Sequence, residues 1–255
     1  MAILSLMGRD IESVAAAASS MHAVIQAGGR GQRIRPIAGS LAKPLLQVGD
    51  EPMIGRLIRQ IASSGVHSAT VVIPNACREL RDFLCQVAVD VPSLDLDVLE
   101  EQHPLGNAGA LGAIECRGRT VLFCFADLVT ELPFDRIAAL HRERRCDITL
   151  ASHYEFHQLS LGELITEGPR VCGYVEKPRK RFLICSGIAV FEPRILELAR
   201  RVATPFGLAD LINASLQAGY SVTHWMHEAY WIDVNTPELL QQARNDASVR
   251  AVQSL

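Results

Sequence analysis

The chain has 255 residues, 49% of them hydrophobic, with a formal net charge of −3. That length supports one large core with elaborations, and the near-neutral balance speaks against a nucleic-acid surface. Seven cysteines, odd in number and without a C-x-x-C pair, read as core hydrophobes in a reducing cytoplasm rather than as a disulfide framework.

The first twenty residues read as an appended arm or helix outside the core. MAILSLMG lacks a basic leader, and Asp10 and Glu12 follow it, so a secretory signal is not expected. No apolar run reaches membrane-spanning length. His22-Ala23-Val24-Ile25-Gln26 is a short buried strand, and AGGRGQRIRPIAGSLAKPLL follows it.

That stretch gathers Gly28, Gly29 and Gly31, then Arg33, Arg35 and Lys43. Glycines let backbone N–H groups approach a ligand and line an anion-binding concavity. Arginine forks onto phosphate oxygens and lysine adds a point charge. A phosphate loop after a strand belongs at the strand's C-terminal end, where open α/β sheets bind ligands. It is not a Walker loop, because Gln32 follows Gly31. It is not a dinucleotide fingerprint, because Ile34 stands where the last glycine belongs. The bland alternative is a glycine-rich turn with solvated arginines.

Asp50-Glu51-Pro52 opens a helix with Met53, Ile54, Leu57, Ile58 and Ile61 on its apolar face, and Gly65 stops it. ATVVIP (69–74) is a strand and 77–88 a helix. LDLDVLEEQ (94–102) alternates, and 104–114 turns into a helix of small residues. TVLFCFA (120–126) is a buried strand ending at Asp127. A helix follows over 134–145 and a strand over 147–154. This alternation predicts a parallel sheet with helices on both faces. From 151 to about 235 the pattern changes to short strands with Gly/Pro turns, which predicts a small antiparallel portion. Helices return at 193–201 and 208–218. Residues 220–234 are strand-like, and Thr236-Pro237-Glu238 starts the last helix.

Asp127 and Asp233 each end a strand at the same predicted edge, beside the loop. Mg²⁺ with a nucleoside triphosphate takes one or two carboxylates plus phosphate oxygens. Capping a turn is the competing role for each. Asp95-Leu96-Asp97 imitates a D-x-D metal motif but reads more simply as a polar strand face. His153/His157 and His224/His227 have ligand-like spacing but fall in strand-like sequence without H-E-x-x-H.

Together these residues resemble the sugar-1-phosphate nucleotidylyltransferases, most closely the short mannose- or heptose-1-phosphate guanylyltransferase type. Ala27-Gly28-Gly29-Arg30-Gly31-Gln32-Arg33-Ile34-Arg35-Pro36 is similar to the family's A-G-G-x-G-x-R-L-x-P, and Ala42-Lys43-Pro44-Leu45 to its P-K-P-L. PLGNAGAL (104–111), FADLVTEL (125–132), GYVEKP (173–178) and YWIDVNTPELL (230–240) follow in the family's order, so the resemblance covers about 22 to 245.

The resemblance implies a Rossmann-like fold with a mixed, mostly parallel central sheet, a domain spanning 21–250 with its nucleotide-binding half at about 21–150 and its sugar-binding half at about 151–235, and a reaction in which an NTP and a sugar 1-phosphate give an NDP-sugar and pyrophosphate. It implies a triphosphate on Ala27, Gly28, Gly29, Arg30 and Gly31, and catalysis by Arg33, Lys43 and Asp127. The base would meet Gln102, Pro104, Leu105 and Gly106; the sugar would meet Gly162, Glu176 and Lys177. Mg²⁺ would be held by Asp127 and Asp233. Partners would be the two substrates, with neither nucleic acid nor membrane, and a homodimer stays open. Ala42 stands where the family pattern has proline, Ala126 and Asn235 where it has glycine, and Gln32 and Asn107 where it has threonine, which leaves base and sugar open: uridylyl, thymidylyl or cytidylyl transfer, a cyclitol phosphate or a phosphonate acceptor all remain. A non-catalytic nucleotide-sugar-binding regulator is the other class, but Lys43, Asp127 and Asp233 are all present.

Overall fold

The computed structural model describes residues 17–28, 39 and 41–253. The segment Gly29–Ala38, with Gly29, Arg30, Gly31, Gln32 and Arg33, lies outside the described residues, as do residues 1–16. Ala17 and Ala18, the end of the expected arm, are buried in the core.

In chain order the strands and helices are β1 (Met21–Gln26), β2 (Gln47–Val48), β3 (Glu51–Pro52), α1 (Met53–Ser63), β4 (Ser68–Pro74), α2 (Arg78–Asp90) and β5 (Asp95–Glu101). Then come β6 (Thr120–Phe125), β7 (Leu128–Thr130), α3 (Phe134–Arg144), β8 (Ile148–Gln158), β9 (Glu163–Glu167), β10 (Arg170–Val175) and β11 (Arg179–Phe191). The chain closes with α4 (Pro193–Ala199), α5 (Leu208–Gln217), β12 (Val222–Met226), β13 (Trp231–Asp233) and α6 (Pro237–Gln253).

Seven strands form one sheet in the order β12-β8-β11-β6-β1-β4-β5. Every neighbouring pair is parallel except those made by β11, which runs antiparallel to both β6 and β8. The expected mixed, mostly parallel sheet is therefore present. Small antiparallel pairs, β9–β10 and β7–β13, sit beside it.

Helices cover both faces because side chains alternate along each strand. Ala23 and Ile25 of β1, with Leu122 and Cys124 of β6, join a core with Ile54, Leu57 and Ile58 of α1, Leu80 and Leu84 of α2 and Phe134 and Ile137 of α3. Val24, Val121 and Phe123 point the other way, to Ile195 and Leu196 of α4 and Leu208 and Leu211 of α5. Fully burying such a side chain contributes about 1.5–3 kcal/mol, so both faces are needed to hold the sheet. A third cluster seats α6, through Leu240 and Ala243, on Val129, Ile232 and Val234.

Three expectations are corrected. The small-residue stretch 104–114 is a loop with a 3₁₀ turn only at Gly109–Gly112, because glycine disfavours a sustained helix. The strand expected over 147–154 continues to Gln158, pairing with Arg179–Cys185 in a ribbon extending past the pairing of β8 with β12. Residues 220–234 are two strands: β12 pairs with β8 and β13 with β7, so the chain leaves the main sheet between Met226 and Trp231.

At the N-terminal edge of the sheet His22 is buried, with Nδ1 3.0 Å from Ser68 Oγ and Nε2 2.9 Å from Thr70 Oγ1. Burial first, and the Arg119 guanidinium second, push its pKa down to about 4. Asp95 and Asp97 line a cavity of about 390 Å³ there, at the opposite end of β5 from Glu101.

An imidazole in the unfolded chain titrates near 6.5. Between pH 6.5 and 4 the unfolded state therefore takes up a proton that His22 in the native state refuses. Native stability should fall through that window as pH drops, by up to about 3 kcal/mol from this group. His141 and His227, also held low by burial, act in the same direction. Urea unfolding at pH 7.5 and 4.5 checks this: His22→Gln should lose less stability between the two than wild type.

Candidate active site

β1 and β6 end side by side, and the segments that follow them carry the site. Lys43 opens a 3₁₀ turn, Lys43–Leu45, anchored by buried Pro44 and Leu45. Ala42, where the family pattern has proline, still accepts the Leu45 N–H at 2.9 Å, so the turn forms without the ring. The Lys43 ammonium donates to Asp127 Oδ2 at 2.5 Å and to Asn235 Oδ1 at 2.7 Å. Asn235 in turn donates through Nδ2 to Asp233. Four side chains from three distant segments thus form one chain of polar contacts. The Lys43 side chain is 9% exposed and that of Asp127 27%, so the pair is partly desolvated. Such pairs add little net stability for what their desolvation costs, which makes a structural role alone a poor account of this one.

Backbone pairing brings the two aspartates together. Leu128 of β7 is in register with Asp233 of β13, and the Val234 N–H donates to the Asp127 carbonyl at 3.1 Å. β13 is pinned from behind, where Trp231 Nε1 donates to the Ser186 carbonyl at 2.8 Å and its ring lies 4.4 Å from that of His153. Ala126, a departure from the family glycine, is 1% exposed, and its N–H donates to the Gln26 carbonyl at 3.0 Å.

Asp127, Asp233 and Asn235 line a cavity of about 410 Å³ shared with Gln26, Gly28, Glu101, Pro104, Gly106, Asn107 and Phe125. The loop at 104–108 is fixed against the segment before α5. Phe206 N–H donates to the Leu105 carbonyl at 2.9 Å, and Asn107 Oδ1 accepts the Leu208 N–H at 2.8 Å, capping α5. Gly106 has φ +90°, and a Cβ there would lie 2.1 Å from the Phe206 carbonyl oxygen. Only glycine suits both conditions.

The structure thus brings Gly28, Lys43, Pro104, Gly106, Asp127 and Asp233 to one place. Ala27, beside Gly28, is buried with its N–H on the Val72 carbonyl at 2.8 Å. Gln102 and Leu105 are not among the cavity's walls; Gln102 is exposed and Leu105 packs against the core under α4 and α5. The wall position belongs to Glu101, because alternate residues of β5 face opposite ways and the strand ends there.

Gly162, Glu176 and Lys177 are not in this cavity wall either. They sit around the β9–β10 hairpin. β10 ends at Val175, so Glu176 and Lys177 lie beyond the strand, with Lys177 at φ +46°. Tyr174 Oη donates to Glu176 Oε2 at 2.6 Å, and a Cβ on Gly162 would fall 2.0 Å from that Oη. Contact within the hairpin, rather than with the cavity, is what this structure gives these three residues.

Asn235, Asn107, Gln26 and Glu101 were missed as site residues. Asn235 had a signal: it departs from the motif's glycine in favour of a side chain that can hydrogen-bond. His153 and His227 both bond to Ser186 Oγ, and His224 to Ser152 Oγ. No group of three or more metal-ligating side chains occurs among the described residues. Nor is any helix among them long and apolar enough to cross a membrane.

Residues 22–249 match the family model described as "Nucleotidyl transferase", and the chain belongs to that family. It is 26% identical over 227 residues to a mannose-1-phosphate guanyltransferase of Yarrowia lipolytica, covering 86% of this chain and 61% of that protein. It is 25% identical over 229 residues to a mannose-1-phosphate guanylyltransferase of Mycobacterium tuberculosis, covering 87% of this chain and 63% of that one. The chain therefore spans somewhat over 60% of the length of these relatives. The crystal structure of HddC from Yersinia pseudotuberculosis superposes with a TM-score of 0.67 at 21% identity, over 88% of this chain and 98% of that one, which shows the shared fold.

Gly106→Ala should destabilise the protein by about 2 kcal/mol or more, since it adds both a clash with backbone and a strained φ. The shift of the urea midpoint measures it.

Proposed function

We propose that this chain transfers a nucleotidyl group from an NTP, GTP in particular, to a mannose- or heptose-type 1-phosphate, releasing pyrophosphate. The observation that carries the reading is the Lys43–Asp127–Asn235–Asp233 cluster, whose Asp127, Asn235 and Asp233 line a cavity that starts where β1 runs into the glycine-rich loop. The names of the relatives support guanylyl transfer and a mannose-type acceptor.

The chemistry follows from charge. An oxygen of the sugar phosphate attacks the α-phosphorus, and the bond to the bridging oxygen of the β-phosphate breaks, so pyrophosphate leaves with that electron pair. Catalysis of such a step is mostly positioning and neutralisation. Lys43 is already oriented by Asp127 and Asn235, so its ammonium meets the reacting phosphates with little reorganisation. Arg33 and the Gly28–Gly31 backbone are proposed to hold the triphosphate and the departing pyrophosphate. Glu176, Lys177 and Gly162 are proposed to hold the sugar phosphate on the neighbouring hairpin.

The carboxylates of Asp127 and Asp233 line one cavity and form an all-oxygen donor pair, which fits Mg²⁺ completed by phosphate oxygens and water. Bound there, the ion would neutralise phosphate charge. The Asn235 and Lys43 contacts orient both carboxylates for it.

A pyrophosphate-release screen of five NTPs against a panel of sugar 1-phosphates with Mg²⁺ tests the reaction. Turnover is expected with GTP and a mannose- or heptose-type phosphate, and silence across the panel refutes it. Lys43→Ala should lower kcat by roughly 10²–10³-fold, or about 3–4 kcal/mol, with the melting curve retained because Asp127 reaches solvent. Asp127→Asn and Asp233→Asn should each abolish turnover and raise the Mg²⁺ requirement. The double variant should be little worse than either single, as befits groups acting as a unit; two losses that simply multiply would refute a shared ion.

A further inference from the structure

Residues 153–185 build the outer ribbon of β8 and β11 and the β9–β10 hairpin, and not one of them is buried. Fifteen large hydrophobic side chains are exposed among the described residues, and eleven of them lie between positions 154 and 183. Apolar surface is thus concentrated in one part of the fold instead of being scattered singly, as it is on an ordinary surface.

The backbone there is open as well. β8 pairs with β12 only as far as Ser152, and β11 pairs with β6 only from Ile188 onward. Beyond those points, among the described residues, both outer edges of the ribbon lack a neighbouring strand. The hairpin is a sheet of two strands, tied to the ribbon by the Lys180–Glu163 ion pair. Two strands without a third or a packed face are marginal in water, and open edges with apolar side chains are templates for another chain.

One face of the ribbon is built like the centre of an interface. Tyr154 stands opposite Leu183 and Phe156 opposite Arg181, so these four share a face. The Arg179 guanidinium lies 4.4 Å from the centre of the Phe156 ring, and that of Arg181 4.2 Å from the centre of the Tyr154 ring. Stacked aromatic and arginine side chains are the residues enriched where proteins meet.

Charge says which partner fits. Arg179 and Arg181 alternate along β11, and Glu163 and Glu167 alternate along β9. A surface with the two signs on separate strands complements itself when a two-fold axis sets β11 of one copy against β9 of the other. A surface of one sign would repel its own copy. The area is sufficient: eleven side chains, most about half exposed, offer on the order of 1,000 Å², and a stable interface takes about 800 Å² from each partner.

We propose that the ribbon and hairpin are the interface of a two-fold homodimer, and that the partner copy fixes the hairpin carrying Gly162, Glu176 and Lys177. The second clause rests on the nucleotidyl-transfer reading above, in which those residues hold the sugar phosphate; the dimer does not. All three residues are exposed. Contacts across the axis supply the packing that the hairpin's own chain does not.

Sedimentation of the full chain at rising concentration tests the interface without substrate. Wild type should run as a dimer, and a monomer at every concentration overturns the inference. Phe156→Glu and Leu183→Glu place a charge on the ribbon face without entering the core. Each should weaken dimerisation about tenfold or more, with the far-UV circular dichroism retained. Leu216→Glu, at an exposed position of α5, should leave the dimer intact. A dimer that ignores the two ribbon variants, or that Leu216→Glu disrupts equally, overturns the assignment of this face. In turnover with GTP and a mannose-type 1-phosphate, the ribbon variants should raise KM for the sugar phosphate several-fold, while calorimetric GTP affinity stays at the wild-type level. An unchanged KM in a dissociated variant overturns the partner's hold on the hairpin. Absence of turnover in wild type would remove the nucleotidyl-transfer reading, and sedimentation would still decide the interface.

Discussion

The Lys43 ammonium, 2.5 Å from Asp127 and 2.7 Å from Asn235, ties together the turn after the glycine-rich loop, the exit from β6 and the exit from β13. Those segments are remote in sequence, and each is held by something else. Pro44 and Leu45 bury the turn. The core strand β6 carries Ala126 into place, and the third apolar cluster seats β13 under α6. The polar junction can be partly desolvated because three rigid supports fix its geometry. Without them the ammonium and the carboxylates would go to water, where such a pair contributes little.

The same supports explain the side of the sheet on which the site lies. β1, β4, β5 and β6 are all parallel, so their C-terminal ends share one edge. Gln26 and Gly28, then Glu101, Pro104, Gly106 and Asn107, then Phe125 and Asp127, follow from those ends and become the cavity wall. The antiparallel strand β11 breaks this rule, and with β8 it builds the ribbon leading to the β9–β10 hairpin. The residues proposed for the acceptor, around the β9–β10 hairpin, and those proposed for the nucleotide, at the ends of the parallel strands, therefore lie on different parts of the fold.

Two departures from the family motifs turn out to be connections. Asn235 accepts from Lys43 and donates to Asp233, which a glycine could not do. Asn107 caps α5 through the Leu208 N–H and so holds the loop that walls the cavity. A substitution inside a motif is therefore not evidence of lost function when the new side chain completes a hydrogen-bond chain.

The sequence by itself determined the strand–loop opening, the alternation of strand and helix, the two aspartates at strand ends and the ordered motifs that identify the family. These are local signals: glycine and proline punctuation, period 2 against period 3.6, and residue identity at short spacing. It misjudged 104–114 as a helix, because small residues satisfy helical spacing without supplying the packing that sustains a helix. It favoured Gln102 over Glu101, because one residue of strand parity decides which side chain meets the cavity, and parity is fixed only once β5 pairs with β4. Only the tertiary structure decided that Asp127 and Asp233 are neighbours, since that depends on the β7–β13 register between segments a hundred residues apart. Only it placed Gln26 against Glu101, for the same reason: strands at positions 26 and 101 end together because the sheet between them, β1 on β4 on β5, is parallel.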